Sequence, residues 1–134
     1  MIVLDASAAI EFLLDTPLGE RVGERLSRDG ETLHAPHLLD VEVLQVIRRL
    51  RAADRLGEHR AAQVLGDLSE LALVLYPHRD LLERAWALRE TVTAYEAMYL
   101  ALAEALDAAV VTCDSRLARA HGHRARVEIV SLAG

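Results

Sequence analysis

With 134 residues, 52% of them hydrophobic and 27% charged, the chain is expected to form one soluble globule over residues 1–134, too short for two ordinary domains and too apolar for disorder. No stretch approaches the roughly 20 apolar residues of a membrane span and no basic leader precedes the first apolar run, which points to the cytoplasm and away from a membrane. A net charge of −6, with Arg as every one of the 15 basic residues, disfavours indiscriminate electrostatic binding to nucleic acid while leaving specific phosphate contacts open.

In chain order, Met1 to Leu4 is an apolar run ending on Asp5 and reads as a strand. Ala6 to Leu14 consists of good helix formers. Asp15-Thr16-Pro17 breaks that run and restarts it with Pro in a helical first turn, and Leu18, Val22 and Leu26 follow at helical spacing. Ser27-Arg28-Asp29-Gly30 closes this helix, and Thr32 to Ala35 is a short strand before Pro36. Leu38 to about Ala53 is a long helix with Leu39, Val43, Val46, Ile47 and Leu50 as its apolar stripe and Arg48 and Arg51 opposite; Gly57 marks its end. Residues 58–70 are helical and Leu71 to Tyr76 is a strand. Asp80 to Glu90 is a helix carrying Leu81, Leu82, Ala85, Trp86 and Leu88, with Trp86 in the core on the Leu82 and Ala85 side. Thr93-Ala94-Tyr95-Glu96 opens a helix to about Leu106. Ala108 to Cys113 is a second apolar run ending on an aspartate, Asp114, and the lone Cys113 reads as a small core residue. Asp114 to Ala120 is a short helix and Val127 to Val130 a last strand. Strands alternating with helices predict an α/β fold with a mostly parallel sheet covered on both faces.

The two strand-ending aspartates are the first candidates for chemistry, because parallel strands deliver such residues to one edge, where open α/β sheets bind ligands. Each reads equally well as a helix N-cap. Glu42 lies at the border of the long helix's apolar stripe, on the Val46 side, with pairing to Arg49 or Gln45 as its ordinary alternative; Asp40 projects from a different side. Thr93-x-x-Glu96 is a capping-box pattern, so Glu96 reads first as a cap. Two carboxylates ~4 Å apart repel by about 4 kcal/mol at an effective dielectric of 20, so a convergence of these acids requires a cation or protons. Hard oxygen donors with no clear imidazole partner point to Mg²⁺ or Mn²⁺ and away from zinc. His121-Gly122-His123 lacks a third ligand and reads as solvated. Arg48, Arg49, Arg51 and Arg55 read either as phosphate contacts or as a solvated helix face, and the five aromatic residues are too scattered for a base-stacking platform. Ile10, Phe12, Leu13 and Leu14 spread around the first helix, which predicts a second contact beyond the sheet, with a partner, a second copy or a neighbouring helix.

Four segments in order, Ile2 to Ala8, His34 to Val43, Thr93 to Glu104 and Val111 to Leu117, resemble PIN-domain ribonucleases of the VapC toxin type, over nearly the whole chain. The resemblance implies a PIN-like α/β/α sandwich and a metal-dependent endoribonuclease, the toxin of a type II toxin–antitoxin system. It implies Mg²⁺ or Mn²⁺ as cofactor, RNA as substrate, and a VapB-type antitoxin or a second toxin subunit (a homodimer) as partner. Asp5, Glu42 and Asp114 match the family's acidic positions. Glu96 departs from the family's usual Asp, and one more methylene shifts that carboxylate. Ser7, Asp40, Thr112 and Arg116 lie beside the acids as supporting or substrate-contacting candidates. The implied mechanism is attack on RNA phosphorus by a metal-activated water deprotonated at the acidic cluster, with the metal and Arg116 meeting the developing charge.

Two rival classes are weighed. A phosphotransfer domain of receiver or haloacid-dehalogenase type also uses strand-end acids, but it wants a Lys near the phosphate and this chain has none; the first strand ends Asp5-Ala6-Ser7 instead of Asp-x-Asp. A non-catalytic PIN-fold module that holds RNA or an antitoxin without cutting is the other.

Overall fold

β1 (Ile2–Leu4) and β4 (Ala109–Thr112) are buried at every position, as strands covered on both faces must be. The computed structural model describes residues 1–133. β2 (Leu33–Pro36), β3 (Leu73–Tyr76) and β5 (Val127–Ile129) complete a sheet of order β3-β2-β1-β4-β5. All four pairings are parallel, so the expected mostly parallel sheet is wholly so, and helices flank it in a PIN-like α/β/α arrangement. The chain builds outward from β1 to β2 and β3, then returns to place β4 on the other side of β1. That reversal puts the switch point of the sheet at the carboxyl ends of β1 and β4, where neither following connection fills the crevice.

The helices are α1 (Ala6–Leu13), α2 (Pro17–Leu26), α3 (Leu38–Ala52), α4 (Glu58–Glu70), α5 (Leu82–Ala87), α6 (Ala94–Leu106) and α7 (Ser115–Arg119). Thr16 caps α2 through its hydroxyl, which accepts from Gly19 N–H, and Pro17 stands at its first position. Gly19 is required by packing: a Cβ there would run into the Glu11 carbonyl of α1. Pro36 ends β2 opposite Tyr76, beyond the stretch paired to β1, so its missing N–H disturbs only one ladder.

α1 packs on α2, α3, α4 and β4, which takes up Ile10, Phe12, Leu13 and Leu14 within the chain. The second contact predicted for this helix is therefore met by neighbouring helices. The expected helix from Asp80 to Glu90 is shorter. A 3₁₀ turn at Arg79–Leu81 leads into α5, and the buried stripe is Leu81, Ala85 and Leu88. This phase turns Leu82 and Trp86 outward, so the core placement of Trp86 is corrected: it is 68% exposed, with the Arg89 guanidinium 4.5 Å from its ring centroid. Cys113 is half-buried at the core's margin, and burial together with the charges of Glu11 and Asp5 raises its thiol pKa to about 11.

Candidate active site

Asp5 stands at the N-cap position of α1, yet its side chain makes no capping hydrogen bond. Its Oδ2 instead accepts from the Ser7 hydroxyl at 2.6 Å and the Thr112 hydroxyl at 2.8 Å. Those hydroxyls in turn accept from the backbone that leads to the second aspartate, Ser7 Oγ from Cys113 N–H at 3.0 Å and Thr112 Oγ1 from Asp114 N–H at 2.9 Å. Thr112 is fully buried, so the ends of β1 and β4 are locked together by a small polar network in a site where each group has a partner. Asp114 does cap its helix, accepting from Arg116 N–H at 2.9 Å, and the Arg116 guanidinium lies on both its oxygens.

α3 brings Glu42 to the same place. Its Oε1 accepts a 2.6 Å hydrogen bond from the hydroxyl of Tyr99, a buried residue of α6, in place of the expected pairing with Arg49 or Gln45. Glu96 forms the full capping box: its Oε1 accepts from Thr93 N–H at 2.9 Å, and Thr93 Oγ1 accepts from Glu96 N–H at 3.1 Å.

Asp5, Glu42, Glu96 and Asp114 all line one cavity of ≈ 650 Å³, together with Ser7, Arg49, Tyr95, Tyr99 and Arg116. Thr112 sits behind it as the support for Asp5, whereas Asp40 is exposed on α3 and does not line it. The acids share the cavity without forming a cage. Among the described residues no three carboxylate, imidazole or thiol groups already stand at ion-binding separation. The hydrogen bonds explain this, since Asp114 is drawn to Arg116, Glu42 to Tyr99 and Glu96 to Thr93. His123 is also accounted for, its Nδ1 accepting from Ala125 N–H and its Nε2 donating to the Ala120 carbonyl, so it supports a turn.

The electrostatics of the cavity call for a cation or for protons. Burial raises the Asp5 pKa against the opposing pull of its two hydroxyl partners, and the charge of Asp114 adds to the rise. Burial likewise raises Glu42, opposed by Tyr99 and assisted by Asp5. Burial also pushes Asp114 upward, but Arg116 outweighs it and holds the carboxyl below its ordinary value. Asp5 Oδ1, Glu42 Oε2 and Glu96 Oε2 make no protein hydrogen bond among the described residues. These three oxygens are open to a hard cation or a proton by donor type, but among the described residues they do not stand at ion-binding separation.

The PIN-domain family model matches residues 2–122. Ribonuclease VapC12 of Mycobacterium tuberculosis is 44% identical over 131 residues, covering 98% of this chain and 100% of the relative. The chain belongs to the VapC-type PIN-domain ribonucleases. Ribonuclease VapC1 of the same species is 40% identical over 129 residues, with 96% of each chain covered. Among solved structures, VapBC2 from Rickettsia felis, bound to a DNA fragment from their promoter, superposes with a TM-score of 0.73 at 13% identity, covering 98% of this chain and 100% of the other. VapC20 of M. tuberculosis, described as a sarcin-ricin-loop-cleaving toxin, gives 0.68 at 13% identity, covering 88% and 93%. At those identities the structures speak for the fold.

Within this VapC-type site the sequence left one residue unassigned. Tyr99 follows Glu96 by three positions on α6, so the two share a helix face. Its role lies in the long-range hydrogen bond to Glu42, which no local pattern in the sequence announces.

Proposed function

We propose that this protein is the toxin of a type II toxin–antitoxin pair and hydrolyses RNA phosphodiester bonds as a Mg²⁺-dependent endoribonuclease, Mn²⁺ serving in its place. The observation that carries this reading is the arrival of Asp5, Glu42, Glu96 and Asp114 in one cavity at the switch point of the sheet. Asp5 and Asp114 would hold the ion from the strand ends, with Glu42 and Glu96 from α3 and α6. A divalent ion there supplies a Lewis acid that acidifies water and neutralises phosphate charge. The chain's own groups do the rest. Ser7 and Thr112 keep Asp5 in one rotamer, Tyr99 orients Glu42, and the acidic cluster takes the proton of the attacking water. Arg116 is mostly exposed and moves from Asp114 to the charge developing on the phosphate.

The test is cleavage of a mixed RNA pool with and without chelator, repeated with Asp5→Asn and Asp114→Asn. Loss of cutting in all three cases is expected; metal-independent cutting or fully active variants overturn the reading. Absence of Mn²⁺ binding by calorimetry favours the non-cutting module instead. The partner side of the reading is a VapB-type antitoxin, in line with the Rickettsia felis VapBC2 neighbour and a Klebsiella pneumoniae toxin–antitoxin complex with a TM-score of 0.58 at 17% identity, and, on the exposed apolar surface alone, a homodimer. Val41 and Leu44 of α3 and Leu82 and Trp86 of α5 are exposed apolar surface for such contacts. Copurification with the product of an adjacent reading frame and light scattering on the purified toxin check the two. No helix among the described residues is long and apolar enough to cross a membrane.

A further inference from the structure

A protein of net charge −6 that presents four carboxylates to its substrate must hold a polyanion with very few cations. Two line the cavity, Arg49 and Arg116, and Arg116 is already paired with Asp114. Arg49 has no carboxylate within ion-pair distance among the described residues. The other arginines of this segment are placed elsewhere: Arg48 donates to Gln45, Arg51 pairs with Asp54 and Glu58, and Arg55 lies beyond the end of α3, and none of the three lines the cavity. Glu42, Val46 and Arg49 follow at i, i+4 and i+7, so one stripe of α3 carries a candidate metal ligand and, two turns on, an unpaired guanidinium. A second observation lies on α6. Tyr95 lines the same cavity and is 63% exposed, an aromatic face that the fold leaves open beside Glu96.

We propose that Arg49 and Tyr95 form a grip for single-stranded RNA, Arg49 on a phosphate next to the one cut and Tyr95 stacked on an adjacent base. The inference rests on the endoribonuclease reading and assigns its substrate-holding side. A planar guanidinium matches phosphate oxygens, and a bare aromatic ring accepts any base only when that base is unpaired. The pairing therefore selects an unpaired stretch, a loop or a tail, over a duplex.

The two contacts leave different marks. With a fluorogenic single-stranded RNA at fixed Mg²⁺, Arg49→Gln is expected to raise KM several-fold with kcat little changed. It should also make the fall of kcat/KM with KCl shallower, one phosphate contact on a single strand corresponding to about 0.7 in log–log slope. Tyr95→Leu should raise KM by about 5-fold or more with the salt slope unchanged. Arg55→Gln removes the same charge outside the cavity and should move neither quantity. Wild-type cutting with Arg49→Gln kinetics and salt slope equal to those of Arg55→Gln overturns the grip, as does equal cutting of the same sequence held in a duplex. A wild-type protein that cuts no RNA removes the endoribonuclease reading itself, a separate outcome.

Discussion

Asp5 sets stability against function. Its pKa is raised in the folded chain, chiefly by burial, so the folded state holds the proton more tightly than the unfolded one. The sign follows: the stability that protonated Asp5 contributes is fully present below the unfolded value of 3.8 and is lost as pH rises through the folded value, so at pH 7 its charge opposes folding. Asp5→Asn is expected to raise Tm at pH 7 in chelator, with on the order of 3–5 °C for each kcal/mol in a domain of this size, while abolishing RNA cleavage. The gain should shrink on acidification, and added Mn²⁺ should raise the Tm of the wild type but not of the variant. A lower Tm for Asp5→Asn at pH 7 in chelator contradicts this account. Asp5 and Asp114 were legible in the sequence as a pair, because two parallel strands ending on acids deliver both to one edge, although each alone reads equally well as a helix N-cap. Tyr99 was not, since its value lies in a contact 57 residues away in sequence, which no local pattern encodes.

At the scale of the element, the start of α6 gives the Glu96 carboxylate two uses. Glu96 Oε1 reaches back to the Thr93 amide, and the other oxygen makes no protein hydrogen bond, so one side chain both closes the helix end and lines the cavity. These roles separate by substitution. Thr93→Ala removes the hydroxyl cap and is expected to cost about 1 kcal/mol in denaturant unfolding while leaving Mn²⁺ affinity nearly intact. Glu96→Gln keeps an oxygen for the Thr93 amide but removes the charge, so unfolding should be almost unchanged and Mn²⁺ affinity, by calorimetry, reduced. Equal effects of both variants on both quantities reject the division. The capping box could be read from Thr93-x-x-Glu96 because it is local. The phase of α5 could not: Leu81, Leu82, Ala85, Trp86 and Leu88 support two apolar stripes. The 3₁₀ turn that selects Leu81, Ala85 and Leu88 precedes a helix too short for periodicity to decide.

Across the whole molecule the parallel order follows from alternating elements, which is why the placement of acids at one edge could be anticipated, but the ties between distant segments could not. Arg25 of α2 is the clearest of these. Its guanidinium bonds Glu31 and Glu128, and Glu31 also takes the amino group of Met1 at 2.6 Å, so one network joins the first residue, α2 and the edge strand β5. The Arg25 side chain is only 10% exposed and none of these residues lines the cavity. Removing the guanidinium leaves a poorly solvated Glu31 with a single partner, and Arg25→Met is expected to cost about 2 kcal/mol at pH 7, with kcat on RNA unchanged. The pH dependence supplies the second check. Glu31 is held low first by the terminal amine and then by Arg25, and Glu128 first by Arg25. Groups with depressed pKa contribute stability above the ordinary value of 4.5 and lose it as pH falls through their folded values. The urea midpoint of the wild type should therefore drop below pH 4.5 more steeply than that of Arg25→Met, so that the two curves converge in acid. Parallel curves would mean that Arg25 acts through packing of its apolar stem, not through charge.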